Sequence, residues 1–153
     1  MSKLAVCVAP PTFQNAHYMS EQELIKQFLA GKRFAVVGAS TDRAKYGNKV
    51  LRVYLQNNLD AVPVNPNAEE VEGLPAYRDL GFVPDEIDGV SIITPPAVTE
   101  KVVEQAVARG IKNVWMQPGA ESPAAIETAQ RAGVNVIAGG PCILVALGYR
   151  ETE

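Results

Sequence analysis

Residues 33–49 read RFAVVGASTDRAKYGNK, and this stretch decides the fold. An apolar run ending at Val37 breaks into the small-residue turn Gly38-Ala39-Ser40, and a helix is expected over residues 46–58. A strand, a tight turn and a helix make the first half of a βα unit. Further strands are expected at 61–65, 89–93, 112–116 and 134–138, with helices at 96–109 and 122–132 between them. Several of these strands are near-continuous apolar runs, the pattern of a parallel sheet covered by helices on both faces. Ser122-Pro123 supplies an N-cap followed by proline at the first helical position, and Gly110 and Gly133 stand where helices end. Upstream, Ser20 and Glu23 form a capping box ahead of an apolar face of Leu24, Ile25, Phe28 and Leu29. The expectation is one doubly wound α/β domain of about five parallel strands over residues 20–153, preceded by an arm at 1–19. Residues 4–8 of that arm suggest an added edge strand, and residues 71–82 suggest a short strand or turn near 74–77 followed by a helical turn.

Composition narrows the functional classes. The chain has 153 residues, 47 % of them hydrophobic and 20 % charged, and a formal net charge of −3. That charge creates no field that would gather nucleic acid or an anionic membrane. Two cysteines, Cys7 and Cys142, are too few for a disulfide framework, and one histidine, His17, excludes multi-histidine metal sites. The apolar run Leu4 to Ala9 falls short of a signal-peptide core, so a cytoplasmic location is expected.

In open parallel sheets the ligand lies beyond the carboxyl ends of the strands. After the first strand, small side chains let an anion reach backbone N–H groups at a helix start, and Arg43, Lys45 and Lys49 bring three cations nearby. Of the dinucleotide fingerprint Gly-x-Gly-x-x-Gly only Gly38 matches, and Asn65 stands where an acid would hold the ribose of NAD. The later strands are followed by Asn65-Pro66-Asn67, Thr94-Pro95-Pro96, Gln117-Pro118-Gly119 and Gly140-Pro141-Cys142. Five of the eleven prolines therefore fall on the expected ligand rim, where they make stiff loops. Pro63 falls inside a strand, so one side of that strand should be poorly paired.

Taken in order, these pieces resemble the CoA-binding domain family, Rossmann-like proteins related to the N-terminal domain of the succinyl-CoA synthetase α subunit. The matching segments are Gly38-Ala39-Ser40, Lys45-Tyr46-Gly47-Asn48, Val62-Pro63-Val64-Asn65-Pro66, Glu72-Gly73-Leu74-Pro75-Ala76-Tyr77, Thr94-Pro95-Pro96, Val114 to Glu121, and Cys142. The resemblance implies that Ala39, Ser40 and Thr41, with Arg43 and Gly47, surround the phosphates of coenzyme A, and Gly38, Lys45, Tyr46 and Cys142 are also expected among the ligand-binding residues. It also implies that Asn65, Pro66 and Asn67 flank the adenosine, while Thr94, Pro95, Gln117 and Gly119 line the remaining slot. The synthetase has a lysine in the loop matching 65–70, whereas this chain has Ala68, Glu69 and Glu70. That departure leaves the 3′-phosphate contact to Lys45, Lys49 or Arg43. The synthetase's phosphohistidine domain has no counterpart here, so ligase activity is not implied.

The catalytic candidates are few. Cys142 at a helix start lacks a histidine partner, which leaves a buried thiol, a nucleophile or a mixed disulfide with CoA as its alternatives. Tyr46 packs either on adenine or on the core, and Trp115 reads as core. Asp85, Glu86 and Asp88 read as a solvated loop at the wrong end of the sheet. The expected function is binding of coenzyme A or an acyl-CoA without catalysis. An NADP-dependent oxidoreductase using Arg43, and a regulatory module acting through the arm, remain alternatives; a homo-oligomer stays open.

Overall fold

Along β1 (Arg33–Val37) successive side chains point to opposite faces of a sheet, and each face meets its own layer of helices. Ala35 and Val37 join one core, while Phe34 and Val36 join the other. The computed structural model describes residues 19–151. Its elements run α1 (Glu21–Leu29), β1, α2 (Tyr46–Gln56), β2 (Asp60–Val64), β3 (Glu70–Val71), β4 (Leu74–Pro75), a 3-10 turn at Leu80–Phe82 and β5 (Gly89–Ile92). They continue with α3 (Pro96–Ala108), β6 (Asn113–Met116), α4 (Pro123–Arg131), β7 (Asn135–Ile137) and α5 (Ile143–Leu147).

The strand order is β2-β1-β5-β6-β7, with every pairing parallel. This is the Rossmann-like sheet expected from the apolar runs. On one face, Val90, Ile92, Val114 and Met116 pack with Ala35 and Val37 beneath Val102 and Val103 of α3 and Ala125 and Ala129 of α4. On the other, Phe34 stacks between Phe28 of α1, at 5.4 Å, and Tyr54 of α2, at 5.0 Å. Trp115 is fully buried there and meets Phe28 edge to face, so its core reading holds. Burial of aromatic rings at this density dominates the energetics of such a layer.

β2 is an edge strand, as Pro63 requires. Among the described residues its outer side carries a single bridge, between Val64 and Tyr77. In the segment after it, where a short strand or turn is expected near 74–77, the short strand β4 is present with a partner that was not expected. The two form the antiparallel pair β3 and β4 joined by Glu72 and Gly73, both at positive φ (51° and 79°), the backbone of a tight two-residue hairpin. The helical turn that follows is the 3-10 turn.

Asp88 is not simply a solvated acid. Its carboxylate accepts from the N–H groups of Lys32, at 2.7 Å, and Arg33, at 3.0 Å, and so ties β5 to the start of β1. The proposed edge strand at 4–8 and His17 lie outside the described residues.

Candidate functional site

The chain leaves β1 toward β2 on one side and returns to β5 on the other, so the loops after β1 and β5 diverge at their carboxyl ends. This is the position at which open α/β sheets hold ligands. A cleft of about 600 Å³ opens there, walled by the Gly38–Ser40 turn, the first residues of α2, Asn65–Asn67 and Ile93–Pro95.

Two glycines make the close approach that shapes it. Gly38 has φ +101°, and a side chain there would strike the backbone carbonyl of Ile93. A Cβ on Gly47 would stand 3.0 Å from the carbonyl carbon of Gly38 and closer still to its oxygen. The turn therefore lies directly against the first turn of α2. The residue preceding that helix, Lys45, makes no side-chain cap. The N–H groups of Tyr46 and Gly47 find no acceptor among the described residues, which leaves orphan donors and the positive helix end at the cleft.

Eleven of the sixteen expected site residues line this cleft: Gly38, Ala39, Ser40, Lys45, Tyr46, Gly47, Asn65, Pro66, Asn67, Thr94 and Pro95. Asn65 braces two of its walls, donating to the Ala39 carbonyl at 2.7 Å while its Oδ1 accepts from the Asn67 N–H at 2.7 Å. Thr94 shares a hydroxyl contact of 2.7 Å with Thr99.

The other five sit differently. Thr41 is exposed and is not part of the cleft lining, and the Gly119 N–H donates to Glu121 at 2.8 Å. Arg43, expected on the phosphates, pairs instead with Glu72 of the β3–β4 hairpin. Asn48 also donates to Glu72, at 3.0 Å, and the buried Arg52 donates to Asn48 Oδ1, at 2.6 Å, and to the Arg43 carbonyl, at 2.8 Å. Partial burial pushes the Glu72 carboxyl up. The hydrogen bonds from Asn48 and Arg43 and the nearby guanidinium charges outweigh that and hold it below the usual carboxylate range. Lys49 points away from the cleft to Glu151, at 3.4 Å.

Gln117 and Cys142 reach the cleft through Tyr46. Gln117 is fully buried, and its Oε1 accepts from the Ile143 N–H, at 3.0 Å, and the Tyr46 hydroxyl, at 3.1 Å. The Cys142 sulfur lies 2.6 Å from the same hydroxyl. Because a backbone N–H fixes which end of the amide is oxygen, Gln117 Nε2 is the atom that is buried with no partner among the described residues. Burial first, then the Cys142 contact, raises the Tyr46 hydroxyl above its ordinary range, so it keeps its proton at neutral pH.

Sequence reasoning missed three features. Glu72 ties the hairpin to Arg43 and Asn48, and Arg52 links Asn48 to the Arg43 carbonyl from α2. Arg78 and Lys101 flank a second, largely apolar lobe of about 500 Å³ that shares Gly38, Pro66 and Thr94 with the first. Their only signal was position: Arg78 follows the matched segment ending at Tyr77, and Lys101 lies one turn beyond Val98. A further cleft of about 570 Å³ lies at the amino ends of the strands. Its Arg109 is committed to the carbonyls of Leu80, Val83 and Asp85, and its Asp88 caps β1. Among the described residues no cluster of His, Cys, Asp and Glu suits a metal ion, and no helix is long and apolar enough to cross a membrane.

Comparison with known proteins places the chain in a family. The family model described as "CoA binding domain" matches residues 32–148. An ADP-forming acetate–CoA ligase of Methanocaldococcus jannaschii is 32 % identical over 88 residues, 58 % of this chain and 12 % of the ligase. The chain spans between 12 % and 27 % of five acetate–CoA ligase chains that match it over 88 to 132 residues. The uncharacterized protein YneT of Bacillus subtilis is 27 % identical over 127 residues, 83 % of this chain and 93 % of that protein. A conserved hypothetical protein of Pyrococcus furiosus of known structure superposes with a TM-score of 0.72 at 40 % identity, covering 76 % of this chain and 99 % of that one.

Proposed function

The chain belongs to the CoA-binding domain family, and from that premise we infer that its two-lobed cleft binds coenzyme A or an acyl-CoA without catalysing a reaction on it. In this reading residues 20–153 are the ligand domain and residues 1–19 an appended arm. The observation that carries it is the uncapped start of α2 pressed against the Gly38–Ser40 turn, with Lys45 beside it. Orphan N–H donors, a positive helix end and one ammonium group suit a diphosphate. The room a side chain at Gly47 would occupy is taken by the backbone of that turn, so these donors cannot be moved apart cheaply.

Gly38, Ser40, Lys45 and Gly47 would hold the diphosphate, and Asn65, Pro66 and Thr94 the ribose and base side. When bound, CoA supplies a thiol or thioester. The side chains toward which it would extend are Tyr46, which holds its proton at neutral pH, the uncharged Gln117, and the Cys142 thiol, which has no histidine beside it among the described residues. Neither Tyr46 nor Gln117 accepts a proton readily and the thiol has no basic partner among the described residues, which supports binding over acid–base chemistry. The NADP reading rests on Arg43, and that guanidinium is engaged by Glu72.

Calorimetric titration with CoA, acetyl-CoA and NADP tests the reading. Saturable binding of CoA or acetyl-CoA, with none of NADP, is expected. No heat with either CoA species at millimolar concentration, or tighter binding of NADP, overturns it.

A further inference from the structure

We propose that the second lobe receives the adenosine end of CoA and that Arg78 and Lys101 hold its 3′-phosphate, so that the protein distinguishes CoA from dephospho-CoA. This rests on the CoA-binding reading above and says which part of the ligand each lobe takes.

The loop matching 65–70 carries Glu69 and Glu70 in place of a lysine. Two acids repel a dianionic phosphate, so its counter-charge comes from elsewhere. Most cations near the first lobe are engaged. Arg43 is on Glu72, Lys49 on Glu151, and Arg52 is buried against Asn48 and the Arg43 carbonyl. Lys45 lines the first lobe, beside the helix end that suits the diphosphate.

The second lobe has the opposite character. Its walls include Val64, Leu80, Val98 and Val102, an apolar surface suited to a purine. Arg78 enters from the loop after β4 and Lys101 from α3. Both are exposed, and neither makes an ion pair or a hydrogen bond with the described residues; the guanidinium of Arg78 lies 6.0 Å from the ring centre of Phe82. The acid in that lining is Asp79, whose Oδ1 accepts from the Gly81 N–H at 2.8 Å. Two cations from distant parts of the chain, with no ion pair among the described residues, thus line one hollow, and an anion there would meet both. The residues common to both lobes, Gly38, Pro66 and Thr94, place the ribose at the junction. From there a 5′-diphosphate enters the first lobe, while the base and 3′-phosphate enter the second.

The test is a set of calorimetric titrations of the whole protein with CoA and dephospho-CoA, for wild type, Arg78→Gln and Lys101→Gln. Wild type is expected to bind CoA about 10- to 100-fold more tightly than dephospho-CoA, the range for one or two charge-assisted contacts. Each substitution should weaken CoA about tenfold and leave dephospho-CoA within about twofold. Added salt should narrow the preference, since both side chains are exposed. Equal binding of the two ligands by wild type overturns the proposal and leaves the CoA reading standing. So does a preference that survives both substitutions, which would place the 3′-phosphate on another cation such as Lys45. Binding of neither ligand by wild type defeats the CoA reading and this assignment together.

Discussion

Replacing Gly47 by alanine sets two effects of opposite sign against each other. Gly47 is the second residue of α2 and its φ lies outside the left-handed region, so helix propensity alone favours alanine by up to about 1 kcal/mol. The tertiary contact opposes it. The added Cβ would lie 3.0 Å from the Gly38 carbonyl carbon, nearer to its oxygen, and 3.5 Å from the Ala39 Cα. Non-bonded carbons rest at about 3.5–4.0 Å, so the turn or the helix must shift by roughly 1 Å. Overpacking of a rigid backbone contact costs about 1–3 kcal/mol, and here the obstacle is backbone that cannot rotate away. The net expectation is a loss of about 1–2 kcal/mol in urea unfolding and a Tm lower by about 2–6 °C. CoA affinity should fall at least about tenfold, because the same shift separates the turn from the orphan N–H groups at the start of α2. Gly110→Ala is the control: its φ is +75° with nothing within 4 Å of an added Cβ, so it costs about 1 kcal/mol in backbone strain far from the cleft. It should leave CoA binding unchanged. If Gly47→Ala proves as stable as wild type and binds CoA equally well, the close approach does not shape the site as argued.

Two further outcomes are expected. Tyr54→Phe removes a fully buried hydroxyl 2.6 Å from Ser91 Oγ and leaves Ser91 unpartnered in the core; stability should fall by about 1–3 kcal/mol at unchanged denaturant m-value, with CoA affinity intact, and adding Ser91→Ala should restore part of the loss. Equal stability of wild type and Tyr54→Phe would contradict this. Glu72 is held below the ordinary carboxylate range, so its contribution is present at neutral pH, above the unfolded pKa, and disappears as pH falls through the depressed folded pKa. Wild type should therefore exceed Glu72→Gln in stability at pH 7, and the two should converge in acid; a gap that stays constant from pH 7 to pH 3 would remove the charge from the explanation.

Much of the fold was legible because it rests on local signals. The small-residue break after Val37, the cap at Ser122 and the closing glycines mark element ends within a few residues, since caps and strand ends are decided by neighbours in the chain. The expected helix over 46–58 stops at Gln56, where Asn57 folds its side chain back onto the Val53 carbonyl at 2.8 Å and Asn58 turns to φ 58°. The 71–82 segment was harder. Its two-residue strands have no periodicity to read, and its shape depends on Glu72 reaching Arg43 across 29 positions of sequence.

The sequence by itself determined the sheet and its two apolar faces, and marked the proline-bearing strand ends proposed as the ligand rim, because these are properties of short stretches. It also determined the family, through an ordered set of loops rather than any one motif. Only the tertiary structure decided which charges are available there. Arg43, Lys45 and Lys49 look equivalent along the chain. In the fold the first meets Glu72, the third meets Glu151, and the second lines the cleft. Arg78 and Lys101, 23 residues apart and outside the matched loops, come to line one hollow. Charge pairing depends on distances between remote segments, and those distances exist only once the chain has packed.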